Sequence, residues 1–163
     1  MPKITVAFCK VRYGFIDRVI SWWTKSDYTH VELVMPGGDW LSLRHGTGWL
    51  KRKYSLKIIA IPRDGINLKK WDIIDFEVSD KQLGEIWAFY KRTQGSGYDW
   101  VGMLMSHVLG IKIKRKKMWY CSEWVMKVLS TVGVLDWRKT LDYEMTSVSP
   151  GQLREICLET KGD

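Results

Sequence analysis

Long apolar runs are missing from this sequence: nowhere do the ~18 consecutive apolar residues of a membrane-spanning helix occur. The opening stretch, MPKITVAFCKVRYGF, also lacks an unbroken apolar segment behind a basic start. No export signal is read there, and the expected compartment is the cytoplasm of the producing cell. Cysteine is scarce. Cys9, Cys121 and Cys157 are odd in number and none is paired as CxxC, which suggests neither a disulfide framework nor a zinc site. Histidine is scarce as well, with His30, His45 and His107 alone, and HExxH does not occur, so no metal or cofactor is expected. Repeats, low-complexity linkers and the RNP, zinc-finger and helix-turn-helix signatures are absent too.

Aromatic residues, in contrast, are plentiful. Ten Trp, seven Tyr and four Phe, with 45% hydrophobic residues overall, exclude a solvated disordered chain and supply a core. The 163 residues fit one domain spanning 1–163. A net charge of +8 favours acidic partners such as nucleic acid, anionic headgroups or an anionic wall polymer, without choosing among them. The densest basic run, Lys112, Lys114, Arg115, Lys116 and Lys117, precedes Cys121 directly; it reads either as a solvated loop or as a polyanion contact beside that cysteine.

Periodicity divides the chain. Lys3–Phe8 alternates as a strand, and Phe15–Trp23 has the spacing of an amphipathic helix. Tyr28–Met35, the turn Pro36-Gly-Gly-Asp39 and Trp40–Arg44 form a hairpin, followed by strands at Leu56–Ile61 and Ile73–Val78. Helices are expected over Lys81–Thr93 with Asp80 as cap, over Tyr98–Leu109, from about Cys121 to Val132 with Gly133 as stop, and from Ser149-Pro150 through Ile156. The fold class is α+β, a small antiparallel sheet packed against helices.

Cys121 opens its helix, where unbonded amides and the positive end of the helix dipole favour a thiolate and can hold an oxyanion. A buried small apolar residue is the alternative for it, and the preferred reading for Cys9 and Cys157. A nucleophilic cysteine needs a base. His107 sits in an apolar helical stretch, whereas His30 begins a strand at the sheet edge that a helix start could face; His30 is the preferred base.

Asp27-Tyr-Thr-His-Val-Glu-Leu-Val34 and Trp119-Tyr-Cys-Ser-Glu-Trp-Val125 resemble the His and Cys motifs of circularly permuted NlpC-like papain-fold proteins, relatives of the lecithin–retinol acyltransferase group. Gly97-Tyr-Asp-Trp-Val-Gly102 and Ser149-Pro-Gly-Gln-Leu153 are similar to two further elements of that family, so the resemblance runs over about residues 4 to 156 in the permuted order. It implies a papain-like fold with the Cys helix after the His strand. It implies as well an acyl-transfer site with Cys121 as nucleophile, His30 as base and Tyr98 helping to bind the oxyanion; a core aromatic is the other reading of Tyr98. The family's third polar residue, on the strand after the histidine strand, falls at Ser42, with His45 three positions on. Strand alternation puts Ser42 and His45 on opposite faces unless a bulge re-aims one. A weakened dyad, a triad completed by His45 and a silent relative all stay open.

Relatives of this fold cleave peptidoglycan stem peptides, hydrolyse amides or move acyl groups to and from lipids. Without an export signal a wall hydrolase would need a phage context, and a phage or bacterial origin is expected. Trp22-Trp23-Thr-Lys25 suits a membrane interface, or else is core. The rival class is a catalytically silent module that uses its basic surface on nucleic acid or anionic membrane, with three inert thiols.

Overall fold

Alternation along Lys3-Ile-Thr-Val-Ala-Phe-Cys9 puts Ile4, Val6 and Phe8 on one side and Thr5, Ala7 and Cys9 on the other. Both sets are buried, so this strand, β1 (Lys3–Cys9), lies in the middle of a sheet. The computed structural model describes residues 1–10, 18, 21, 26–44, 55–60, 67–98, 118–136, 138 and 148–162. It adds β2 (His30–Val34), β3 (Asp39–Arg44), β4 (Ser55–Ala60), β5 (Trp71–Glu77), β6 (Gly97–Tyr98) and β7 (Met118–Trp119). The sheet order is β5-β1-β2-β3-β4-β6-β7, antiparallel throughout except for the short parallel pair β6 and β7. With helices α1 (Asp80–Thr93), α2 (Cys121–Thr131) and α3 (Pro150–Gly162) the architecture is α+β.

The first hairpin turns at Pro36-Gly37, where Gly38 N–H bonds the Met35 carbonyl at 3.1 Å and Gly37 has φ +95°. Proline followed by a positive-φ glycine is the chemistry of a type II turn. The strand expected over Tyr28–Met35 begins only at His30. The expected Leu56–Ile61 and Ile73–Val78 strands each start one or two residues earlier, at Ser55 and Trp71.

Helix ends are decided by side-chain caps. Ser79, not Asp80, caps α1: its Oγ accepts from Gln82 N–H at 3.2 Å while Gln82 Oε1 accepts from Ser79 N–H at 2.9 Å. Asp80 is the first helical residue, where its charge still meets the dipole. The same reciprocal pair recurs at α3 between Ser149 and Gln152, with Pro150 in the first helical position. That helix runs past the expected Ile156 to Gly162, because nothing breaks it once Leu153, Ile156 and Cys157 are buried. α2 ends in a Schellman motif: Val134 N–H bonds Leu129 C=O at 2.9 Å, Gly133 N–H bonds Ser130 C=O at 3.3 Å, and Gly133 has φ +70°.

The main core joins Ile4, Val6 and Phe8 of β1, Val31 and Leu33 of β2, and Ile74 and Phe76 of β5 to Trp124, Val125, Val128 and Leu129 of α2 and to the buried side of α3. On the other sheet face Ala7, Val34 and Trp40 cluster with Trp71, whose ring meets Trp40 edge-on with centroids 5.2 Å apart. Among the described residues no helix is long and apolar enough to cross a membrane. Of the expected Phe15–Trp23 helix only Arg18 and Ser21 are described, both helical. Tyr98 belongs to β6 rather than opening a helix, its backbone held in register against Trp119 of β7; the rest of the Tyr98–Leu109 segment lies outside the described residues.

Candidate active site

His30 starts β2 opposite Cys9 of β1, and the preceding Thr29 also donates its N–H to the Cys9 carbonyl at 3.0 Å. Two residues of the incoming chain thus face one of β1, the arrangement of a β-bulge, which re-aims side chains at the strand mouth. On the other flank, β2 and β3 are in register only at Leu33↔Leu41 and Val34↔Trp40, although β3 continues with β4 as far as Arg44↔Ser55. The two strands therefore part before Val31 and His30. Into this gap comes the start of α2, and the Val31 N–H, outside the β3 ladder, bonds the Cys121 sulfur.

Cys121 is the first residue of α2 and is 4% exposed. Tyr120 precedes it in extended conformation without capping the first-turn amides through its side chain. Those amides have no helical carbonyl to bond, and the Ser122 N–H turns to the Cys121 sulfur. Ser122 Oγ donates to the Val148 carbonyl at 2.6 Å and so fixes the helix start to the segment that leads into α3.

Cys121 and His30 are hydrogen-bonded to each other through their side chains. Burial pushes the Cys121 thiol up, but the charge of His30, its hydrogen bond and the two backbone amides outweigh burial and hold the thiol below its usual value. Burial likewise pushes His30 down, and the Cys121 thiolate, its hydrogen bond and Glu32 together lift it well above the ordinary histidine value. Both shifts favour the thiolate–imidazolium form of the pair, the activated form of a cysteine nucleophile.

Glu32 Oε1 lies 3.2 Å from His30 Nε2, and Glu32 is fully buried. Two residues apart on one strand, His30 and Glu32 share a face. Among the described residues the polar partner of His30 is therefore on β2 itself, at Glu32. Ser42 sits in β3 with its backbone opposite Lys57 of β4, and His45 lies outside the described residues. The sequence signal for Glu32 is the His-x-Glu spacing of Thr29-His-Val-Glu-Leu-Val34, since residues two apart on a strand share a face.

His107 and the basic run Lys112, Lys114, Arg115, Lys116 and Lys117 fall outside the described residues. Tyr98, through the β6–β7 pairing, has its backbone beside the strand that ends two residues before Cys121. The other thiols differ from Cys121. Cys157 is fully buried, which pushes its thiol up to about 12, and Cys9 is buried at the end of β1. Neither a family model nor a curated protein matches the chain.

Proposed function

We propose that this protein is a cysteine-dependent hydrolase or acyltransferase of the papain-like, circularly permuted NlpC kind. The observation that carries the reading is the Cys121–His30 hydrogen bond at a helix start, with the thiol held low and the imidazole held high. The Cys121 thiolate adds to an acyl carbonyl, and the oxyanion forms against the first-turn amides of α2. His30, already protonated, gives its proton to the leaving amine or alcohol as the C–N or C–O bond breaks, which leaves a thioester on Cys121. Neutral His30 then takes a proton from water or a second acceptor, whose oxygen or nitrogen attacks the thioester and releases the thiolate. Glu32 fixes the imidazole ring and offsets its charge through both steps.

Amide and ester substrates fit this chemistry, stem peptides of peptidoglycan and acyl lipids among them. Single-unit organisation over residues 1–163, action in the cytoplasm of the producing cell and a phage or bacterial source belong to the same proposal. Tyr98 is assigned to the oxyanion side on the strength of the family motif and its backbone register beside Trp119.

The test is the pH dependence of iodoacetamide labelling at each cysteine, read by peptide mass spectrometry. Cys121 is expected to label rapidly at or below pH 7, with Cys9 and Cys157 slow. Cys121 labelling no faster than an ordinary thiol would overturn the reading and leave a silent binding module in its place.

A further inference from the structure

A second charged cluster lies on the α2 and α3 side of the sheet, at the same end as the reacting pair. Asp72 of β5 stands opposite Phe8, one residue along from Cys9, which pairs with both His30 and Trp71. Two strand spacings and a one-residue offset put the Asp72 and His30 backbones on the order of 10 Å apart. Asp72 accepts from the Tyr28 hydroxyl and pairs with the Lys10 ammonium. Arg154 of α3 brings its Nε to 3.3 Å from Asp72 Oδ2 and lays its guanidinium over the Tyr28 ring, 5.1 Å from the centroid.

One carboxylate thus serves two cations, and the phenol beside them stays neutral, pushed up to about 12 by burial and the hydrogen bond to Asp72. Lys10 and Arg154 bring two positive charges to Asp72, while the second carboxylate that acts on Tyr28, Asp27, is exposed to solvent. No described residue accepts a hydrogen bond from the Nη groups of Arg154, and its side chain is 30% exposed. Stacking on Tyr28 and the Asp72 contact hold the planar fork in place, which is the preorganised form of a bidentate oxyanion receptor. Tyr28 ties this fork to the catalytic strand, being two residues before His30.

We propose that Arg154, supported by Lys10, is an anion subsite of the Cys121 centre, receiving a carboxylate or phosphate that the acyl substrate carries. This rests on the Cys–His reading above and adds to it a substrate class, acyl compounds with an oxyanion group. Lys10 is 38% exposed and completes the positive rim without being locked as Arg154 is.

The experiment compares thiol reagents of one length on the full chain: 6-maleimidohexanoate, its phosphonate analogue and the neutral methyl ester, each followed at Cys121 by peptide mass spectrometry. The wild type is expected to prefer at least one anionic reagent over the ester, the carboxylate and phosphonate arms telling which oxyanion fits. Arg154→Gln is expected to reduce the anionic-to-neutral ratio about tenfold or more, and Lys10→Gln to reduce it by less. Arg154→Lys, which keeps the charge and loses the fork, is expected to fall between Arg154→Gln and the wild type. Equal ratios in the wild type and both Gln variants would overturn the subsite. A wild-type Cys121 that reacts with the ester no faster than an ordinary thiol would instead bring down the Cys–His reading, so the two failures are distinct.

Discussion

His30 and Glu32 act on Cys121 in different ways, and pH separates them. Replacing His30 with alanine removes the positive charge and hydrogen bond that hold the thiol low, while burial, which pushes it up, stays. Cys121 alkylation at pH 7 should fall about tenfold or more, each unit of thiol pKa being a factor of ten in thiolate. Glu32→Gln keeps the shape and removes one of the influences that raise His30. In the proposed mechanism the His30 imidazolium protonates the leaving group, so the alkaline limb of turnover should move to lower pH; a purely structural Glu32 would change stability and leave that limb where it was. Both limbs belong to the pair and not to either residue alone. Asp72 supplies a check of opposite sense. Burial pushes its carboxyl up, but Lys10, Tyr28 and Arg154 outweigh burial and hold it below the usual value. Its contribution is therefore present above an unfolded pKa of ~3.9 and lost as pH falls through the folded value. In urea titrations Asp72→Asn should be less stable than the wild type near neutrality, and the gap should close below about pH 4; a gap that does not change with pH would contradict the ion-pair account.

At the level of elements, two glycines mark different physics. Gly133 has φ +70° with open space around it, so Gly133→Ala should cost about 1–2 kcal/mol through backbone strain alone. Gly151 lies in α3, and a Cβ there would stand 2.3 Å from Ser26 Oγ and 2.9 Å from Ser26 Cβ. Ser26 in turn accepts the Tyr28 N–H at 3.1 Å. Gly151→Ala should therefore cost roughly 1–3 kcal/mol by overpacking, and it should also slow Cys121 alkylation by shifting the chain that leads into His30. Gly133→Ala should leave the alkylation rate near the wild-type value, and the pair is read by urea unfolding together with labelling rate. Helix limits were legible where a local device sets them: Gly133 as the stop of α2 and Ser149-Pro150 as the start of α3 needed no tertiary information. The α1 cap was misplaced by one residue because Ser79 and Asp80 are both good caps and only the position of Gln82 decides between them.

Across the whole molecule, what could be read from the chain was whatever repeats locally. Alternation marked β1, β-rich runs around a Pro-Gly-Gly turn marked β2 and β3, apolar β-branched runs marked β4 and β5, and helix periodicity marked α1 and α2. The pairing of Cys121 with His30 came from the residue types and their order. The polar partner of His30 was legible in the His30-x-Glu32 spacing, whereas the place where β2 and β3 separate after Leu33↔Leu41 is a property of the assembled sheet and was not. The same dependence on distant strands makes β1 the element least able to bear a cavity. Ile4→Ala, at a fully buried position between β5 and the helices, should cost about 2–5 kcal/mol in urea unfolding, well above any cap. β1 also has a consequence in time. Its ladders join it to β2 and to β5, so during synthesis the first strand waits with one edge unpaired until Trp71–Glu77 has left the ribosome. Cys121 comes later still, and its helix start is tied down by Val148, whose carbonyl holds Ser122. A nascent chain therefore carries its His30 strand long before it carries Cys121 and the Val148 carbonyl that ties down the start of the Cys121 helix.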